Sequence, residues 1–203
     1  MEIIGLLVLL VIGAFIFGSL KNSFDSPENK LFRKVWSAKR FNNDSAISQE
    51  INSHKALRKA FNVSIDSDDH TFQKNTIRLF SAAHDFDIKH PKNLGTIMVD
   101  EVGRSLKSST PYNLSAGEKA GKQAKIDLVL EMATKFIGIR KFTERMGIPY
   151  NDMIKDFWDE ADKTEIEAFE QQHANMNINE KHEAFMLQTI RKSIEADRVS
   201  NEQ

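Results

Sequence analysis

Ser115 to Pro149, SAGEKAGKQAKIDLVLEMATKFIGIRKFTERMGIP, is the longest stretch of one periodicity in the polar part of the chain. Ile126, Val129, Leu130, Ala133, Phe136, Ile137 and Phe142 recur at three- and four-residue intervals, the signature of a helix with one buried face. Ser115-x-x-Glu118 has the form of a capping box, which satisfies two backbone N–H groups at a helix start. Gly147 and Pro149 supply a left-handed cap and a residue that blocks continuation. The stretch is expected to be the central helix of its domain. Its opening turns are unusual. Ala116, Gly117, Ala120, Gly121 and Ala124 are small, and Lys119, Lys122 and Lys125 interleave with them. The spacing predicts close packing of the small side on another helix, with the lysines in solvent. No G-x-G-x-x-G turn or G-x-x-x-x-G-K-[ST] loop accompanies them, so they form no phosphate-binding signature.

The same periodicity extends outward on both sides. Upstream, Ser26-Pro27 opens a helix to about Phe41 with Leu31, Phe32, Val35 and Trp36 inward. A second helix from Asp44 or Ser45 carries Ile47, Ile51, His54 and Phe61. A third carries Phe72, Ile77, Phe80 and Ala83 and stops before Pro91, because the residue preceding proline disfavours helical backbone. A fourth spans about Leu94 to Leu106. Downstream, Tyr150 to Gln172 reads as helix with an interruption at Asp162 to Glu165, and Asn177-x-x-Glu180 caps a last helix to about Val199. No stretch alternates with period two long enough to require a strand. The fold class is therefore all-α, six or seven helices over residues 28–200, with 201–203 a fraying tail.

The N-terminal end is different in kind. Ile3 to Leu20, IIGLLVLLVIGAFIFGSL, is eighteen residues without a charge. As a helix it is about 27 Å long, close to the thickness of a bilayer's hydrocarbon core. Apolar residues run all round it, which a water-facing helix does not permit. Residues 1–20 are expected to be a transmembrane anchor contacting lipid through residues 3–20, and 21–27 a short linker. A cleaved signal peptide is the alternative. It requires a basic n-region and a small-x-small cleavage site, whereas Met1-Glu2 carries no base and Phe15 to Phe17 interrupt the small residues. Lys21, Lys30, Arg33, Lys34, Lys39 and Arg40 follow the span and none precedes it. That asymmetry places the N-terminus outside and the domain in the cytoplasm, at the inner or plasma membrane.

Composition narrows the chemistry. The chain has 203 residues, no Cys, four Pro, nine Gly and a formal net charge of -1. Absence of cysteine removes disulfides, thiolate metal sites and thiol nucleophiles. The near-neutral charge conceals a division, because Lys21 to Ala60 carries nine bases against four acids. Such a segment suits anionic lipid headgroups. Nucleic acid is the less favoured partner, since the aromatics there (Phe32, Trp36, Phe41, Phe61) fall at core spacing. Asp66 to His70 is no calcium loop, because Thr71 and Ile77 stand where such a loop needs Gly and Glu.

One constellation has a chemical reading. A helical His54, then an apolar helix ending in His84-Asp85, resembles the front half of the HD-type metal phosphohydrolases. The resemblance implies that His54, His84 and Asp85 hold a divalent metal that activates water against a phosphate ester. The family's Gly-Lys after His-Asp is replaced by Phe86 to Lys89, and its distant Asp would have to be Asp127. The competing account makes His54 a hydrogen-bonded core residue and His84 a helix-end residue. No G-x-S-x-G elbow, H-E-x-x-H helix or Cys-His pair is present. The sequence therefore predicts a membrane-tethered helical domain engaged in protein binding or self-association. A tethered HD-like hydrolase is the alternative.

Overall fold

The computed structural model of the chain describes residues 27–43, 45, 59, 70–90 and 93–201. Among these residues all the regular structure is helical, in seven helices. They are α1 (Pro27–Arg40), α2 (His70–Lys89), α3 (Leu94–Ser108), α4 (Ala116–Arg145), α5 (Tyr150–Asp159), α6 (Lys163–Gln172) and α7 (Ile178–Asn201). Residues 3–20, and most of the expected second helix with His54, lie outside the described residues. No helix among the described residues is long and apolar enough to cross a membrane.

Residue pairs fix the directions. Phe32 packs on Phe86 with ring centroids 4.8 Å apart, and Trp36 on His90 at 4.7 Å, so α1 and α2 run the same way. α3 returns along α2. At that crossing the backbones nearly touch, since a Cβ built on Gly95 would lie 2.0 Å from the Ala83 carbonyl oxygen. Only glycine fits there. Asn93 meets Lys141 and Lys107 meets Asp127, so α4 runs antiparallel to α3. Lys135 with Asp197 (3.1 Å) and Glu131 with Arg198 (2.9 Å) lay α7 antiparallel along α4.

α4 is central, touching α2, α3, α5 and α7. Its start is the expected capping box, with the Glu118 N–H donating to Ser115 Oγ and the Ser115 N–H to Glu118 Oε2. Its end is Gly147 at φ 73°. Ile126, Val129, Met132, Ala133, Phe136 and Ile137 are buried and join Phe32, Phe80, Met98 and Ile154 in the main core. Each such side chain contributes roughly 1.5–3 kcal/mol when removed from water. Phe142 does not belong to that face and is 58 % exposed. Six residues beyond Phe136 is about 240° of helix rotation, which turns it toward solvent. The small-residue turns also depart from expectation. Among the described residues nothing lies near a notional Cβ on Gly117 or Gly121, and Ala116, Ala120 and Ala124 are exposed.

The interruption after α5 is a true second start. Asp162 caps α6 by accepting from the Thr164 N–H at 2.8 Å. α5, α6 and α7 enclose a satellite core in which Trp158, Phe169 and Phe185 meet edge to face. Such contacts add about 0.5–1.5 kcal/mol per pair beyond area burial.

Candidate functional site

α2 does not end at His84-Asp85 but runs one further turn to Lys89. His84 faces into the bundle and Asp85 lies half-exposed at its edge, both against α4. The His84 ring is completely buried. Its Nδ1 lies 3.4 Å from Asp85 Oδ1. Its Nε2 lies 3.3 Å from Glu144 Oε1 on α4, out of line for a hydrogen bond. Asp85 also faces the Arg140 guanidinium at 4.0 Å. The His84 hydrogen bond holds the Asp85 carboxyl below the usual carboxylate range. Partial burial opposes the shift, while Arg140 and Lys89 reinforce it.

Arg140 continues the network. Its guanidinium sits 4.3 Å above the Tyr150 ring, a cation–π contact in a water-poor setting. The Tyr150 hydroxyl donates to Glu183 Oε1 on α7 at 2.9 Å. Burial and the neighbouring Glu183 charge push the Tyr150 phenol above its ordinary value. Burial likewise raises Glu183, against the pull of Tyr150 and Arg140. Glu183 lines a cleft of about 270 Å³ between α2 and α7, with Ile77, Met176 and Ala184 on its walls. A carboxyl of raised pKa beside an apolar cleft is a common form of binding or acid–base site. Gln73 separates this cleft from a second, more polar one of about 250 Å³ lined by His173, Gln188 and Arg191.

A second polar cluster lies one turn along α2. The Asp87 carboxylate is fully buried and accepts from the Thr96 N–H at 3.1 Å, the Thr96 hydroxyl and Lys141 Nζ at 2.7 Å. Asn93, the residue before α3, is left-handed and makes no side-chain cap. Asp87 therefore caps α3 from the preceding helix, while Lys141 ties both to α4.

Of the three residues proposed as metal ligands, His84 and Asp85 are in contact and His54 lies outside the described residues. Asp127 pairs with Lys107, about 25 Å along α4 from Glu144. Among the described residues no group of three or more His, Cys, Asp or Glu side chains is placed to hold a metal ion. His182 is buried against Trp158 at 5.0 Å, and desolvation lowers its pKa.

Arg140, Glu144, Tyr150, Glu183, Asp87 and Lys141 were not singled out by the sequence. They come from four helices and share no local motif. One signal was present: Asp87 falls four residues after Ala83 and seven after Phe80, which is a core position for a charged group. No family model, curated protein or solved structure matches the chain.

Proposed function

We propose that the chain is a single-pass membrane protein whose helical domain is a protein-interaction or assembly module. Residues 3–20 tether it to the cytoplasmic face of the inner or plasma membrane. The observation that carries the interaction reading is an uncovered apolar surface on α3 and α4. Gly103 against Leu130 and Asn93 against Lys141 set the register of these two helices. That register puts Ile97 level with Ile137 of α4, and Phe142 level with the start of α3. Ile97, Phe142 and Met146 are 47 %, 58 % and 62 % exposed, and among the described residues nothing approaches a Cβ built on Gly138. A rigid helix pair presenting apolar anchors is a familiar recognition mode.

A photo-crosslinking residue at position 142 in the full chain, expressed in its membrane, tests this. The expected result is a discrete adduct, with a partner or with a second copy, that disappears in Ile97→Ser/Met146→Ser while helix content is unchanged. Absence of an adduct, or one indifferent to those substitutions, refutes the interaction reading. Extraction of the chain from membranes by alkaline carbonate refutes the tether.

A further inference from the structure

α1 sorts its side chains with unusual strictness. Leu31, Phe32 and Val35 are fully buried, while Lys30, Arg33, Lys34 and Arg40 are exposed. Between Lys30 and Phe41 there is no acidic residue. The other long helices mix signs on their outer faces, as in the Lys135–Asp197 and Arg191–Glu195 pairs.

The tertiary structure extends this basic face onto a second helix. Because α1 and α2 run in the same direction, Trp36 meets His90 just beyond the end of α2, beside exposed Lys89. Arg33 and Lys89 both act on His90, adding to the burial that lowers its pKa. Arg40 lies over the Trp36 ring at 5.8 Å, and Phe41 beside it is 77 % exposed. Basic groups with an amphipathic indole and one free aromatic ring are the composition of surfaces that rest on headgroups.

We infer that the outer face of α1, continued by Lys89 and His90, is a docking surface for anionic phospholipid headgroups. This rests on the reading of residues 3–20 as an anchor. Lys21 to Ser26 is then the whole tether, and even fully extended it spans only about 20 Å, so α1 is the part of the described domain tied nearest the bilayer. Each basic residue brought to an anionic surface strengthens occupancy about fivefold. A second copy is disfavoured as occupant, because an isologous contact would set this face against its own charge. Nucleic acid is disfavoured because the Trp36 ring is already engaged by His90 and Arg40 and is not free for base stacking.

The absence of native cysteine permits a site-specific test on the full chain. Ser37→Cys, on the exposed face of α1, and Ser108→Cys, at the far end of α3, are each labelled with a fluorophore. Each is then reconstituted into nanodiscs bearing a headgroup spin-label quencher. The Ser37 label is expected to be quenched about fivefold more efficiently with roughly 30 % anionic lipid than in neutral discs. The difference should collapse at about 0.5 M salt, where screening is within a few ångströms. The Ser108 label should not respond. Lys30→Gln/Lys34→Gln/Arg40→Gln should abolish the difference, and the salt response tests the inference independently of how that variant folds. A Ser37 label indifferent to lipid charge, or one matched by Ser108, overturns the inference.

If the chain elutes apart from discs of both compositions, the anchor reading fails. The same labelled chain is then mixed with anionic vesicles: selective quenching upholds the surface, and none overturns it. Binding of duplex DNA without quenching by anionic lipid also overturns it.

Discussion

Asp87→Ala removes the group on which three helices converge, and its cost can be worked from the contacts. The carboxylate caps the start of α3 through the Thr96 N–H, and an N-terminal cap is worth about 1 kcal/mol. It also neutralises Lys141, whose side chain is only 25 % exposed. Stranding one member of a buried pair costs about 3–5 kcal/mol. Lys141 keeps its Asn93 partner and some solvent, so the lower end of that range applies and the total is about 3–4 kcal/mol. For a domain of this size the urea m-value is about 2 kcal/mol/M, so the midpoint should fall by roughly 1.5–2 M. The assay is urea unfolding of the full chain in mild detergent, followed by helical circular dichroism. Asp87→Ala/Lys141→Ala should be milder than the sum of its single changes by about 1 kcal/mol or more, because no charge is left stranded. A loss below about 0.5 kcal/mol for Asp87→Ala, or strict additivity in the cycle, would refute the reasoning.

Gly95→Ala should cost about 2–3 kcal/mol and more than Gly103→Ala. The first Cβ meets the Ala83 backbone and the second only the movable Leu130 side chain; thermal melts of the two variants compare them directly. Glu183 has a raised folded pKa, so its contribution is present below its unfolded value of about 4.5 and is lost as pH rises through the folded value. Glu183→Gln should therefore match the wild type at low pH and gain on it toward neutrality; urea midpoints across pH would show a constant offset if burial were not the cause. Asp85 has the opposite sign. Its stabilisation is present above about 3.8 and is lost as pH falls through the depressed folded value, and Asp85→Asn should flatten that limb of the stability profile. Tyr150, raised by burial and by Glu183, should ionise only with unfolding. In Tyr112→Phe, phenolate absorbance and loss of helix should coincide; absorbance rising first would contradict the burial.

The helices were legible because periodicity, caps and breakers act locally. Ser115-x-x-Glu118 and Gly147 marked α4, and Asn177 with Glu180 marked α7. The hydrophobic side of each helix was less secure. Phe142 belongs to an apolar run that reads as inward, although its rotation from Phe136 places it outside. The polar network was nearly invisible, because Asp85, Arg140, Tyr150 and Glu183 are separated by up to about a hundred residues and meet only when four helices pack. His84-Asp85 is visible in the sequence only as a dipeptide. Its partners across the bundle, Glu144 and Arg140, have no sequence mark beyond being charges on a largely apolar helix.

The overhang at the start of α4 has a consequence for how the molecule exchanges with solvent. The first buried position of that helix is Ile126, and among the described residues the ten before it are held mainly by the Ser115–Glu118 cap and the contact of Lys119 with the Tyr112 ring. Two of them are glycines, each of which weakens an unsupported helix by about 1 kcal/mol. Their amide hydrogens should therefore be lost to deuterium by local fraying, orders of magnitude sooner than those beyond Ile126, which open only with the core. One continuous helix would then hold two protection regimes, and the boundary between them would mark where the bundle begins.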